Sequence, residues 1–203
     1  MLWKQYRETA TRCFDPLVRV LIRARISPTM ITLAGPILGS VLCLWFVRTQ
    51  AVIPFCAAVL LLGGLDILDG MVARASGKVT KFGGYLDAMC DRYYEVIVIL
   101  AVATVTDYWL LCFLTLSGGM LTSYAKARAA MEVPISNSEW PDMMERGERS
   151  LIFVGGLALG AVVNWQPFGH DLFWWTLLFL AGFTHATAVQ RILRARKIIE
   201  ERG

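Results

Sequence analysis

The sequence predicts an all-α, polytopic membrane protein with six transmembrane helices and an N-terminal amphipathic helix at the membrane interface. Three observations lead to this fold class. Of the 203 residues, 56 % are apolar and only 18 % are charged, with a mean hydropathy of +0.53. Six apolar runs approach the roughly 20 residues that an α-helix needs to cross a bilayer. When these runs alternate in direction, 19 of the 20 Lys and Arg residues fall on one side, and only Arg48 falls on the other.

The first 26 residues precede the spans and alternate basic with apolar side chains. This pattern is typical of a helix that lies in the interface with its basic face towards anionic lipid, and it does not indicate a secretory signal peptide. Its apolar members are Trp3, Tyr6, Phe14, Leu17, Val20 and Leu21. We expect residues 1–203 to form a single domain, in which residues 27–203 are the six-helix transmembrane part.

The six spans are expected in a strictly antiparallel order. They lie at approximately Thr29–Val47, Ala51–Arg74, Gly84–Thr106, Tyr108–Ala130, Gly147–Trp165 and Asp171–Val189. The links at Arg48–Gln50, around Asp107 and at Gln166–His170 are too short for any other arrangement. The positive-inside rule then places both termini and the two long links, Ala75–Gly83 and Met131–Arg146, in the cytoplasm of a cell-membrane protein.

The remaining composition excludes several classes of function. The net charge of +4 does not indicate a nucleic-acid partner, because the basic residues follow the membrane topology. The five cysteines lack the spacing of a zinc site or a disulfide framework, so we expect buried free thiols. Two isolated histidines do not support a zinc site or a catalytic triad.

Four aspartates inside apolar sequence carry the strongest functional signal. Asp66 and Asp69 are three residues apart, and Asp87 and Asp91 are four apart, so each pair shares one face of its helix. Carboxylates removed from water need a positive partner. Two such faces turned together offer oxygen ligands for one or two divalent cations. At ~1.5 Å per residue, Asp66 lies ~22 Å along the second span, near its cytoplasmic end.

Small and basic residues between the aspartates point to phosphate chemistry. Gly70 and Ala73 leave the helix surface open to a bulky group, and Arg74 is placed to bind a phosphate bidentately. Gly83 precedes the next span, where close backbone approach is possible. Metal ligands next to a phosphate site indicate phosphoryl-group transfer on a pyrophosphate.

The complete pattern, D-x2-D-G-x2-A-R-x8-G-x3-D-x3-D, resembles the signature of the CDP-alcohol phosphotransferase family at every defined position. The resemblance implies that an alcohol hydroxyl displaces CMP from a CDP-linked lipid, in a homodimeric enzyme that uses Mg²⁺ or Mn²⁺, two ions in all. It implies that Asp66, Asp69 and Asp87 are metal ligands and that Asp91 completes the site as a fourth ligand and the candidate base.

By the same resemblance, the cytidine diphosphate is lined by Gly70, Ala73, Arg74, Gly83 and Thr32. Thr32 ends a Pro28–Thr32 segment that resembles the Pro-Asn/Asp-x-x-Thr start of the family's first span. Thr29 stands there in place of the usual amide or acid, and it can still cap a helix.

Three further segments resemble prokaryotic phosphatidylinositol phosphate synthases: 87–92 (DAMCDR), 123–129 (SYAKARA) and 145–149 (ERGER). With a Gln190–Arg191 pair, they imply that Lys126, Arg146 and Arg191 bind the phosphate of an inositol phosphate, with CDP-diacylglycerol as donor. Arg128 and Arg149 are interpreted as lipid-headgroup or structural cations. Glycerol 3-phosphate, as in a phosphatidylglycerophosphate synthase, free inositol and a CDP-inositol donor remain alternatives.

Two other classes of protein compete with an enzyme. A transporter also places carboxylates in the membrane, but the Gly, Ala and Arg positions among the aspartates have no role there. Its sites also lie near the midplane, whereas these acids cluster near one end. A non-catalytic scaffold is disfavoured because every position of the aspartate signature is intact.

Overall fold

The computed structural model of the chain describes residues 14–134, 144 and 146–202, and for Leu65 and Asp66 it describes the backbone alone. These residues are helical and contain no strand. A short helix α1 covers 14–23. It is followed by α2 (Pro28–Thr49), α3 (Val52–Gly63), α4 (Leu65–Ala75), α5 (Lys81–Thr106), α6 (Trp109–Glu132), α7 (Arg146–Val162) and α8 (Leu172–Arg202). The predictions for Trp3, Tyr6, Glu145 and residues 135–143 lie outside the described residues.

Three helical stretches in the described part of the chain are long and apolar enough to cross a membrane. They are Pro28–Thr49, Val52–Ala75 and Leu172–Arg202. Helix α7 has only 17 residues, and the first half of α5 carries several charged side chains. These three stretches support the all-helical membrane fold, and the count of six spans stays a prediction.

The short links predicted after α2 and α5 are confirmed, whereas the link between α7 and α8 is longer than predicted and covers residues 163–171. A positive φ lets the chain reverse at Gln50 (53°) and Asp107 (61°), and the third link has two such residues, Phe168 (56°) and Gly169 (81°). The cap at the start of α2 differs from expectation. Ser27, and not Thr29, is the N-cap, because its Oγ accepts a hydrogen bond from the N–H of Met30 at 3.2 Å.

The predicted second span is divided into α3 and α4 at Gly64. Gly63 and Gly64 are consecutive, and glycine has the lowest helix propensity after proline. The backbone N–H of Gly64 bonds the carbonyl of Leu61, three residues back, at 3.1 Å. The aspartate motif therefore begins on its own short helix, α4.

The helices form two compact units. The first contains residues 14–45 and Ala57–Val98 of the described chain. Its core joins α1, α2 and α4 through the buried side chains of Val18, Ile31, Leu68, Met71 and Val72. Phe14 and Leu21, two members of the predicted apolar face of α1, pack against this core. Leu17 and Val20, two other members, are 43 % and 58 % exposed.

The second unit contains Phe46–Cys56 and residues 99–202 of the described chain. Within it, α8 packs against α6 and α7, around the fully buried Leu177 and Leu180. Close packing depends on glycine: a Cβ on Gly118 would collide with the side chain of Thr184, and one on Gly156 with that of Thr176. The absence of a side chain lets these helices approach each other closely.

Helix α8 continues 13 residues beyond the predicted span end at Val189, to Arg202. Ion pairs four residues apart support this extension, Arg196 with Glu200 at 2.7 Å and Lys197 with Glu201 at 3.9 Å. The last turn is tied down as well, because Arg202 donates to the carbonyl of Pro134 at 3.2 Å.

Candidate active site

The aspartate motif of the first unit is anchored by Asp69. This residue lies on α4 with only 7 % of its surface exposed. Its Oδ2 accepts a hydrogen bond from Thr32 Oγ1 of α2 at 2.5 Å. The structure therefore brings together two residues that the sequence assigned to different roles, a metal ligand and a nucleotide contact.

The second pair of aspartates lies one helix further along. Asp87 and Asp91 are half-buried in the first half of α5, one turn apart. The carboxylates of Asp87 and Asp69 both act electrostatically on the buried thiol of Cys90, so acids from α4 and α5 converge on one region. Next to them, Arg92 pairs with Glu95 at 2.8 Å.

The described side chains alone do not complete a metal centre. No three His, Cys, Asp or Glu side chains among them lie together as such a site requires. The side chain of Asp66, the fourth predicted ligand, lies outside the described residues. The donor chemistry does fit a hard divalent cation, because every candidate ligand is a carboxylate and one of them is buried.

Arg74 and Gly70 are coupled directly. A Cβ added to Gly70 would lie 3.2 Å from one guanidinium nitrogen of Arg74 and 3.6 Å from the other. The guanidinium of Arg74 therefore folds back over the bare helix surface at Gly70. This arrangement holds an exposed cation beside Gly70, where its guanidinium can bind a phosphate group.

The loop after α4 has a fixed shape. Gly77 has a φ of +66°, and the N–H of Lys78 bonds the carbonyl of Ala73 at 2.9 Å, as in a Schellman motif. Thr80 then caps α5, its Oγ1 accepting from the N–H of Gly83 at 2.9 Å. Sequence reasoning missed the role of Thr80, although a threonine just before a helix start is a recognisable cap signal.

In the second unit, a cavity of about 220 Å³ collects the predicted acceptor residues. Its lining consists of hydroxyl and basic side chains from α6, α7 and α8: Thr122, Ser123, Lys126, Arg146, Arg149 and Arg191. All three predicted cations are present, and we call this the cationic cavity. Four positive groups around one small volume form an environment suited to a multiply charged anion.

Arg191 is held rigidly at the base of this cavity. It is only 6 % exposed, and its guanidinium donates to the backbone carbonyl of Thr122. Thr122 in turn donates through Oγ1 to the carbonyl of Thr184 at 3.2 Å. These bonds tie α6 to α8, so the position of the buried cation depends on the packing of those two helices.

Arg149, which the sequence interpretation treated as a lipid-headgroup or structural cation, also lies at the cationic cavity. It lines the cationic cavity one turn after Arg146, and its guanidinium donates to the carbonyl of Met144 at 3.4 Å. The spacing of the two arginines on α7 was an available signal, because residues three apart share a helix face. Arg128, by contrast, pairs with Glu132 on α6 and does not line the cavity.

Comparison with known proteins identifies the family of this chain. The sequence model of the CDP-alcohol phosphatidyltransferase family matches residues 25–185. The chain is 31 % identical over 192 residues to the archaetidylinositol phosphate synthase of Pyrococcus horikoshii, covering 92 % of this chain and 94 % of that protein. It is 32 % identical over 207 residues to the phosphatidylinositol phosphate synthase of Mycobacteroides abscessus, covering 94 % and 86 % respectively.

Solved structures show the same fold. The phosphatidylinositol phosphate synthase of Mycobacterium tuberculosis with CDP-DAG bound matches with a TM-score of 0.77 at 26 % identity, covering 91 % of this chain and 94 % of that chain. A crystal structure of that enzyme with manganese and citrate matches with a TM-score of 0.77 at 25 % identity, covering 89 % and 87 %. The chain therefore belongs to the CDP-alcohol phosphatidyltransferase family and is a membrane transferase.

Proposed function

We propose that this enzyme transfers the phosphatidyl group of CDP-diacylglycerol to a hydroxyl of an inositol phosphate and releases CMP. The cationic cavity is the observation that carries the proposal. A phosphomonoester bears a charge of about −1.5 to −2 near pH 7, and it leaves water only when several positive groups replace its hydration. Lys126, Arg146, Arg149 and Arg191 supply those groups.

The positive charge of the cationic cavity distinguishes between some of the alternative acceptors. Free inositol carries no charge and gives four clustered cations no function. Glycerol 3-phosphate carries the same phosphate group, so charge alone does not distinguish it from an inositol phosphate. The relatives named archaetidylinositol phosphate and phosphatidylinositol phosphate synthases favour the inositol phosphate.

In the first unit, the proposed metal ligands are Asp66, Asp69, Asp87 and Asp91, for two ions of Mg²⁺ or Mn²⁺. The manganese in the structure of the Mycobacterium tuberculosis relative supports this choice of ion. When bound, such ions neutralise the pyrophosphate and stabilise the departing CMP. The buried Asp69 accepts a hydrogen bond from Thr32, which orients its carboxylate.

Asp91 is the proposed general base, which removes the proton of the attacking hydroxyl. A nearby cation lowers carboxylate basicity, so the base must be the acid least engaged by metal. Asp91→Asn should retain binding of the CDP-lipid and lose turnover. Wild-type turnover in this variant would remove Asp91 from the mechanism.

The nucleotide is proposed to lie along α4 and the start of α5. Gly70 and Ala73 leave room for it, Arg74 binds its phosphates, and Gly83 allows close backbone approach. Thr32 contributes through Asp69. Because the Arg74 guanidinium folds over Gly70, Gly70→Ala should displace that guanidinium and raise the KM for the CDP-lipid.

The acceptor is tested by steady-state kinetics on the purified protein with Mn²⁺ and CDP-diacylglycerol, or its archaetidyl counterpart. Three arms supply inositol phosphate, glycerol 3-phosphate or inositol as the acceptor. A fourth replaces the CDP-lipid with CDP-inositol as the donor and keeps inositol phosphate as the acceptor. We expect inositol phosphate to have the highest kcat/KM. Lys126→Ala should raise the KM for inositol phosphate without changing the KM for the lipid, whereas Arg128→Ala should leave both unchanged. An unchanged acceptor KM in Lys126→Ala would contradict the role of the cavity.

We also propose the full membrane arrangement: six spans, an interfacial N-terminal helix, and both termini and the active site in the cytoplasm. The distribution of Lys and Arg supports it, with Arg48 alone on the outer side. Reporter fusions at the C-terminus and in the α2–α3 link test it. A periplasmic or extracellular C-terminus would overturn the arrangement. A homodimer is proposed from the family resemblance and is tested by sedimentation in detergent.

A further inference from the structure

We propose that the loop from Gly77 to Phe82 is a binding surface for acidic phospholipid headgroups, separate from the active site. We call it the basic–apolar loop. It joins α4 to α5, and each of its six residues is exposed. Lys78 and Lys81 supply positive charge, while Val79 and Phe82 are each 67 % exposed.

Charge in this region has one sign only. From Gly70 to Leu86 the sequence contains three basic residues and no acid. No ion pair among the described residues includes Lys78 or Lys81. Lys81 also opens α5, whose first turn has no acidic residue, and a cation there opposes the helix dipole. A lysine at this unfavourable helix position is expected if its ammonium group binds an anion outside the protein.

The exposed apolar side chains lie on a loop whose backbone is fixed by hydrogen bonds at both ends. The loop is fixed on one side by the Schellman motif at Gly77 and on the other by the Thr80 cap. The ring of Phe82 packs on that of Tyr85, with centroids 6.3 Å apart, and Tyr85 is itself 62 % exposed. Neighbouring exposed aromatic rings are typical of the membrane interface.

Helix length places the loop at the depth of the headgroups. The stretch Val52–Ala75 has 24 residues and is apolar enough to cross a membrane. At ~1.5 Å per residue, the lengths of α3 and α4 add up to ~36 Å at most, compared with ~30 Å for the hydrocarbon core. The loop begins two residues later. Lysines at that depth attract acidic lipid, about fivefold for each lysine, while apolar neighbours enter the acyl boundary.

The test uses a fluorophore on Val79→Cys in the full-length protein, reconstituted without substrate. The four described cysteines are buried, and the labelled wild-type chain measures any background. Quenching by brominated phosphatidylglycerol is compared with quenching by brominated phosphatidylcholine at equal mole fraction. We expect the acidic lipid to show a several-fold higher relative association constant. Lys78→Gln with Lys81→Gln should bring this ratio close to one.

The matched control is Arg196→Gln with Lys197→Gln, which removes the same charge from exposed positions on α8. It should leave the ratio unchanged. Equal quenching by the two lipids in the wild-type loop, no quenching by either, or an equal loss in the control would overturn the proposal. If the lysine variant raises the KM for the CDP-lipid and keeps the quenching ratio, the lysines belong to the substrate site and the proposal fails. Because no substrate is present, the result does not depend on which acceptor the enzyme uses.

Discussion

The hydrogen bond from Thr32 to Asp69 links α2 to the aspartate motif, and Thr32→Val removes it with little change in side-chain shape. The two oxygens are 2.5 Å apart, and Asp69 is 7 % exposed, so water does not readily replace the lost donor. A hydrogen bond to a charged group contributes about 1.5–3 kcal/mol. We expect the metal-free protein to lose stability of about that size.

The proposed metal site should be affected as well. Removing the partner that orients a metal ligand typically weakens metal binding about 10–100-fold. The assay is thermal unfolding of the purified protein during a titration with Mn²⁺. The control is Thr104→Val on α5, whose hydroxyl donates to the carbonyl of Leu100 in its own helix at 2.8 Å. This control should leave Mn²⁺ affinity unchanged.

The result that would refute this reasoning is specific. If Thr32→Val keeps wild-type affinity for Mn²⁺ but binds the CDP-lipid more weakly, Thr32 acts on the nucleotide directly. The contact with Asp69 would then be irrelevant to metal binding.

Three further variants test other parts of the structure. Gly118→Ala should lower the unfolding temperature, at a cost of about 1–3 kcal/mol, because the added Cβ collides with a threonine side chain of α8. The control is Gly182→Ala, whose Cβ contacts no neighbouring atom. Equal unfolding temperatures of the two variants would contradict the packing of α6 on α8. Gly77→Ala should cost about 1–2 kcal/mol in thermal unfolding because its φ is +66°, and a neutral result would exclude the left-handed cap. Arg149→Gln should raise the KM for inositol phosphate about tenfold in steady-state kinetics, whereas Arg128→Gln should not. An unchanged KM in both variants would agree with the sequence interpretation, which placed neither arginine in the acceptor site.

Three of the cations that line the cationic cavity could be predicted, because short sequence motifs resemble those of known synthases. Lys126, Arg146 and Arg191 are far apart in the sequence, yet they line one cavity, as the resemblance implied. Arg149 was missed because basic residues at the cytoplasmic ends of spans are expected from topology alone. The positive charge of a residue alone does not show whether it lines the cationic cavity or faces lipid headgroups.

Other features depend on contacts that sequence spacing does not encode. The single hydroxyl proton of Thr32 has two acceptors within reach, the carbonyl of Pro28 in its own helix at 3.1 Å and the carboxylate of Asp69 at 2.5 Å. Only the packing of α2 on α4 brings the shorter contact, with Asp69, into reach. The docking of α1 through Val18 depends on tertiary packing in the same way, whereas the break at Gly64 follows a pair of consecutive glycines that is visible in the sequence. The extension of α8, however, was available in the pairing of Arg196 with Glu200.

The central claim is tested most directly by a competition experiment. The purified enzyme receives CDP-diacylglycerol, Mn²⁺ and an equimolar mixture of isotopically labelled inositol phosphate and glycerol 3-phosphate, and the lipid product is identified by mass spectrometry. We predict phosphatidylinositol phosphate as the main product, with one CMP released for each molecule formed. Phosphatidylglycerophosphate as the main product would contradict the assignment of the cationic cavity to an inositol phosphate.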